Sequence, residues 1–209
     1  MQITAISDTH NKCNSIQIPN SDLLLHAGDC TMMGGLDEFA CFANWFGSLP
    51  GKTKILIPGN HDFCLQTDIG LCKRIGLDSG FHILVDETII LGKHHIHGIP
   101  WIPKLATWAF YATEEFFAQK LELIPVDTTI LVSHAPAYKI LDKTANNFHT
   151  GWKGLRDVIK HIKPQLHICG HIHEAHGTLQ KPDTLHINAS LCDAKYQPTL
   201  TPITITLED

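Results

Sequence analysis

Arginine is nearly absent from this chain: among 209 residues only Arg74 and Arg156 are arginine. The planar guanidinium is the side chain best suited to grip phosphate in a bidentate way. Any phosphate-bearing ligand must therefore be held by something else, and metal ions are the ready substitute. A basic stripe is missing as well. With 16 Lys+Arg against 21 Asp+Glu, the formal charge is -5 and the pI is near 6.3, which disfavours long nucleic acid as a partner. No apolar run approaches the roughly 20 residues that cross a bilayer. Residues 1–6 have neither the basic start nor the apolar stretch of a signal peptide, so a soluble, cytoplasmic protein with no membrane partner is expected. Cys13, Cys30, Cys41, Cys64, Cys72, Cys169 and Cys192 form no Cys-x-x-Cys pair and are odd in number. That is the pattern of reduced thiols, not of a disulfide frame or zinc ribbon. Internal repeats, linkers and low-complexity tracts are also missing.

What the chain does have is enough apolar residues, 44%, to build one packed domain over residues 1–209. It also has fifteen histidines. Several of these sit just past apolar runs that read as buried strands. The run over residues 2–7 ends in Asp8-Thr9-His10, and the run over 22–27 ends in Gly28-Asp29. The run over 52–57 leads into Gly59-Asn60-His61-Asp62, residues 128–132 into Ser133-His134, and residues 165–169 into Gly170-His171-Ile172-His173. His26 lies inside its run and reads as a core histidine.

Between these runs, Leu36, Phe39, Ala40, Ala43 and Phe46 recur at helical spacing. Residues 66–75 predict a short helix, Thr113 caps another that runs to about residue 124, and Leu155, Val158, Ile159 and Ile162 mark a fourth that Pro164 ends. Short strands are expected over 81–85 and 88–91. Late strands over 184–188 and 203–207 are expected to lie antiparallel at a sheet edge. Strand, helix, strand at this spacing implies parallel crossovers, and by itself suggests a single open sheet. The aromatic, proline-broken stretch 98–111 either overhangs a site and stacks a flat ligand or plugs a hydrophobic gap, and the sequence favours neither.

Each polar cluster alone is ordinary turn chemistry. Five of them, each at the carboxyl end of a strand, fall where α/β sheets place ligands. Asp8, His10, Asp29, Asn60, His134, His171 and His173 mix hard oxygens with imidazole nitrogens. Seven such groups are too many for one ion that stays open to substrate. Two ions sharing one carboxylate would each receive four, an arrangement suited to attack on phosphorus. Mn, Fe and Zn all tolerate this mixed set.

The blocks Asp8-x-His10, Gly28-Asp29, Gly59-Asn60-His61-Asp62, Ser133-His134 and Gly170-His171-Ile172-His173, all present and in order, resemble the calcineurin-like metallophosphoesterase superfamily. More narrowly, residues 42–50, Gly98-Ile99-Pro100-Trp101 and Ser133-His134-Ala135-Pro136 are similar to small metallophosphoesterase-domain proteins, which resemble class III cyclic-nucleotide phosphodiesterases. The resemblance implies an α/β, four-layer fold with a central β-sandwich flanked by α-helices, in place of the open sheet. It implies that Asp8, His10, Asp29 and His173 hold one divalent ion and Asp29, Asn60, His134 and His171 a second. His61 would face substrate, stabilising the transition state or protonating the leaving oxygen, and Asp62 would stand behind it and fix an imidazole tautomer.

The expected activity is hydrolysis of small phosphodiesters, with 3′,5′-cyclic nucleotides as a candidate class, by direct attack of a hydroxide held between the metals. Where phosphoprotein phosphatases of this superfamily carry an Asp-Arg pair, this chain reads Asp29-Cys30, which points away from phosphoprotein. A phosphomonoesterase or nuclease on the same metals, and an interaction module that has lost its chemistry, are the competing readings. Oligomeric state is not encoded.

Overall fold

Two sheets stack face to face, and each is covered by helices on its outer side. The computed structural model describes residues 1–12, 16–103 and 105–208; Cys13, read above as one of the reduced thiols, lies outside them. In chain order the first elements are β1 Gln2–Ile6, β2 Leu23–His26, α1 Leu36–Ser48, β3 Thr53–Leu56, α2 Phe63–Thr67, α3 Ile69–Asp78 and β4 His82–Ile83. Then come β5 Glu87–Leu91, β6 His94–Ile99, α4 Glu114–Leu121, β7 Ile130–Ser133 and α5 Lys153–Ile162. The chain closes with β8 Leu166–Cys169, β9 Gly177–Gln180, β10 Leu185–Asn188 and β11 Ile203–Thr206.

The first sheet runs β11-β1-β2-β3-β4 and the second β5-β6-β7-β8-β10-β9. Strands β1 to β4 pair in parallel, as do β6, β7, β8 and β10. Parallel strands need cover on both faces, which is why they read as unbroken apolar runs. Alternate residues show the two faces directly. Ile3, Ala5, Leu23, Leu25, Ile55 and Ile57 point inward against Ile96, Ile130, Val132, Leu166, Ile168 and Ile187 of the second sheet. Ile6, Leu24 and Leu56 point outward onto Phe39, Phe42 and Phe46 of α1. On the far side, Leu131 meets Phe117 of α4 and Leu155 and Ile159 of α5. The result is the four-layer sandwich, not the open sheet that the crossover spacing alone suggested.

Other expectations change in detail. The helix expected over 66–75 is two helices, because Asp68 accepts a hydrogen bond from the Leu71 amide at 3.0 Å and starts α3 afresh. Of the late strands, β11 is antiparallel to β1 at an edge as expected. Strand β10 is not: it pairs in parallel with β8 and is internal, with the unforeseen β9 taking the edge. His26 is a core histidine, buried and bonded to Thr9 Oγ1 at 2.9 Å, and burial pushes its imidazole down to about 3.

Candidate metal centre

The carboxyl ends of β1, β2, β3, β7 and β8 converge on one place. The chain leaves these strands under backbone tension: Asp8, His10, Asp29 and His171 all have positive φ, at 52°, 43°, 56° and 69°. Non-glycine residues rarely adopt this conformation, and such strain gathers at functional sites. Asp8 and Asp29 are fixed by strand-end hydrogen bonds, from the Asp8 amide to the Gly28 carbonyl at 2.9 Å and from the His10 amide to the Asp29 carbonyl at 3.1 Å. Gly59 has no room for a side chain, since a Cβ there would lie 2.3 Å from Asp29 Oδ1.

The side chains form two nests around Asp29. In the first, His173 Nε2 is 3.3 Å from Asp8 Oδ1 and 3.4 Å from His10 Nε2, and His10 Nε2 is 3.9 Å from Asp29 Oδ2. In the second, His134 Nε2 is 3.4 Å from Asp29 Oδ1 and 2.9 Å from Asn60 Oδ1, with the His171 ring 5.1 Å from that of His134. The two oxygens of Asp29 thus face different nests. Ligand atoms of Asp8, His10 and His173, and of Asp29, His134 and His171, lie within 4.8 Å of one another. All seven expected ligands come together, and all but the half-buried His171 are buried.

The imidazoles are oriented as metal ligands usually are. His10, His134 and His173 each donate Nδ1–H to a backbone carbonyl, those of Thr31, Ala27 and Asp193, at 3.1, 2.8 and 2.9 Å. That fixes the tautomer and turns Nε2 toward the nest. The donor set therefore fits divalent cations of the borderline class.

Electrostatics agree. Burial alone would push His134 down, but the carboxylate of Asp29 outweighs it and raises the imidazole to about 9. Burial likewise opposes His173, and its hydrogen bond to Asp8 raises it to about 9. Burial also opposes ionisation of Asp8 and Asp29, yet the neighbouring histidines hold both carboxyls below their ordinary range. Two protons thus sit on Nε2 atoms that would face cations. Uptake of metal by the metal-free chain at pH 7 is expected to release about two protons, fewer as the pH rises past about 9. Calorimetry in buffers of different ionisation enthalpy measures this number.

His61 stands at the mouth. Its amide donates to Asp29 Oδ1 at 2.8 Å, and its Nδ1 donates to the Met32 carbonyl at 2.6 Å, leaving Nε2 for the site. Its ring lies 4.6 Å from that of His10 and 4.4 Å from that of Trp108. Asp62 does not set an imidazole. Its carboxylate accepts from the amides of Gly59, Thr31 and Cys30 at 2.8, 2.9 and 3.3 Å, and from Thr31 Oγ1 at 2.7 Å. It ties the loop after β2 to the loop after β3 by backbone, not by imidazole. Cys30 and Cys169 are buried small hydrophobes whose thiols burial pushes up, Cys30 donating to Asp62 Oδ1.

The described residues of the stretch 98–111 divide between filling a gap and overhanging the site. Trp101 plugs a gap, donating to Asp86 Oδ1 at 2.7 Å and packing edge-on against Phe110 and Phe116. Trp108, 37% exposed, overhangs His61. Tyr196 lies 4.8 Å from the His10 ring and 5.3 Å from that of His173. Sequence reasoning missed Tyr196, which follows no recognisable signal. It also missed a sixth strand end that had one: Asn188 ends β10 and Ser190 follows it. Ser190 donates to Asp8 Oδ2 at 2.8 Å, and Asn188 Nδ2 donates to the Gly170 and Ile172 carbonyls at 3.3 and 2.9 Å.

The family model for calcineurin-like phosphoesterases matches residues 1–175, a span that holds every residue of both nests. The chain belongs to the calcineurin-like phosphoesterases. Metallophosphoesterase domain-containing protein 1 of Homo sapiens is 32% identical over 99% of this chain and 71% of its own length. A UPF0046 protein of Caenorhabditis elegans is 31% identical over 97% of this chain and 74% of its own. Among solved structures, TT1561 of Thermus thermophilus superposes with a TM-score of 0.63 at 14% identity, over 90% of this chain and 88% of that one. That last likeness is one of fold. The phosphoesterase is thus a metal-dependent hydrolase of phosphoric esters, with clusters able to hold metal at its strand ends. No helix among its described residues is long and apolar enough to cross a membrane.

Proposed function

We propose that this phosphoesterase is a dinuclear phosphodiesterase acting on small phosphodiesters, with 3′,5′-cyclic nucleotides as the candidate class. The observation that carries the reading is the division of Asp29 between two nests, Oδ2 toward His10 and Oδ1 toward His134. Asp8, His10, Asp29 and His173 would hold one divalent ion, and Asp29, Asn60, His134 and His171 the other. Bound there, the ions would polarise the phosphoryl group and lower the pKa of water for in-line attack.

The chain's own residues do the rest. His61 Nε2, freed by the Nδ1 bond to Met32, faces the departing oxygen and donates a proton or hydrogen bond to it. The Trp108 and Tyr196 rings both lie near His61, at 4.4 and 6.0 Å, and the partly exposed Trp108 would offer a planar group a surface to stack on. A diester carries less charge than a monoester, which suits a site whose nests include neither Arg74 nor Arg156.

Specificity constants across cyclic nucleotides, a generic diester and monoesters, each with Mn, Fe and Zn, test the reading. Highest values for diesters are expected, and activity confined to monoesters overturns it. In labelled water, one turnover should place the label on the phosphoryl product; a trapped phosphorylated side chain contradicts direct attack. Trp108→Ala should raise KM for a cyclic nucleotide roughly fivefold to 100-fold, the loss of one stacking contact. KM for a diester without a ring should hardly move.

A further inference from the structure

A cavity of about 330 Å³ opens between α5, the turn joining β9 to β10, and the segment after β7. None of its lining residues belongs to either nest. Its size falls within the range of small-molecule sites. Ile140, Ile159 and Pro182 give it an apolar wall, and His186 of β10 reaches it from the sheet.

The rim is the unusual part. In a chain of net charge -5, Lys139, Arg156, Lys160, Lys163 and Lys181 all line this one cavity. Among the described residues Arg156 pairs with Asp157 at 2.9 Å and Lys163 with Asp183 at 3.4 Å, while Lys139, Lys160 and Lys181 have no carboxylate partner. Asp183 is the one carboxylate residue among the described residues of the lining, so the three unpaired lysines, which repel one another, leave the mouth net positive over an apolar wall. Tyr138, also at the lining, already draws cations to its ring, with Arg156 Cζ and Lys139 Nζ each 5.6 Å from its centroid.

The cavity is also braced from behind. Ser133 Oγ donates to the Ala135 carbonyl at 2.7 Å, so its lone pair accepts from His167 Nε2–H at 2.9 Å. His167 Nδ1 is then an acceptor, and His186 Nδ1–H donates to it at 3.1 Å. This buried chain holds the His186 ring in one orientation and one tautomer, so the floor is preformed.

We infer that this cavity binds a small organic anion of the phosphomonoester type, its charged head at the lysine rim and an apolar or aromatic body against Ile140, Ile159 and Pro182. The site is separate from the phosphoesterase centre and independent of that centre's substrate.

Isothermal titration of the metal-loaded full chain with phenylphosphonate, a non-hydrolysable dianion carrying a ring, tests this. Two classes of site are expected: one that competes with phosphoester hydrolysis, and one that does not and weakens with added salt. Lys160→Glu with Lys181→Glu should weaken the non-competing class about tenfold or more and leave kcat and KM unchanged. Lys160→Gln with Lys181→Gln, which removes charge at the same exposed positions without reversing it, should give a smaller loss. Inorganic phosphate, lacking the ring, should bind the non-competing class more weakly than phenylphosphonate. A single competing class, a second class indifferent to both double variants, or phosphate binding as tightly as phenylphosphonate would each overturn the inference.

Discussion

Replacing His61 with alanine is expected to leave two cations bound per chain and to lower kcat by roughly 10²–10⁴-fold, the usual worth of a positioned proton donor. The reason lies in how the ring is held. Its Nδ1 is committed to the Met32 carbonyl at 2.6 Å, so only Nε2 can act, and that ring lies close enough to His10 and Asp29 to reach a ligand bound between the nests. On the proposed assignment the seven other donors complete both nests without His61, although His61 also lies within reach of His10 and Asp29, and that is why metal should survive the change. His61→Gln, which can still donate a hydrogen bond but not a proton, should recover part of kcat if the role is charge stabilisation and little if it is proton donation. Metal analysis beside kinetics decides the matter: loss of an ion on His61→Ala would mean that His61 is itself a ligand.

Asp29→Asn is expected to do more. The amide keeps one oxygen, enough to accept the His61 amide bond, but presents no charge to either nest. Metal content should fall below two per chain, and turnover by about 10³-fold or more, the scale of losing several kcal/mol of transition-state charge stabilisation. A second readout comes from the metal-free chain. Asp29 is what raises His134 to about 9 against the opposing effect of burial. A raised folded-state pKa gives stability that is fully present below the unfolded value near 6.5 and is lost as pH rises through the folded one. Thermal unfolding of the metal-free wild-type chain should therefore show a falling Tm between pH 6.5 and about 9, and Asp29→Asn should flatten that slope in part, the rest belonging to His173 and Asp8. An unchanged slope would show that the carboxylate does not hold the proton.

The candidate site is legible because its chemistry is written at strand ends. Each apolar run of β1, β2, β3, β7 and β8 marks a buried parallel strand, and the polar residues just past it can only project from the sheet's carboxyl edge. What escaped depends on non-local pairing. Asn188 and Ser190 obey the same rule, but β10 was expected to be antiparallel at an edge, which would have aimed its end away from Asp8. Nothing within residues 184–188 says that they insert beside β8. Tyr196 reaches the site from an irregular segment whose course is set by packing, so its neighbours cannot be counted off along the chain; for the same reason the sequence leaves the role of the stretch holding Trp108 open. The carboxylate of Asp62 holds three backbone amides where an imidazole is expected, because a carboxylate two residues from a candidate ligand looks the same in sequence in either case.

The fold was legible in its elements and less so in their arrangement. Continuous apolar strands say that both faces are covered, yet they do not say whether the cover is a helix or a second sheet. The alternation of Ile3 and Ala5 against the second sheet with Ile6 against α1 resolves this only once both partners are in place.

Metal stoichiometry of activity tests the central claim most directly. The metal-free chain, at concentrations above its dissociation constants, would be titrated with Mn while hydrolysis of a generic phosphodiester is followed. Activity is expected to stay low over the first equivalent, rise with the second and level off at two per chain. Full activity at one equivalent, or none at any loading, would contradict a centre built from two nests that share Asp29.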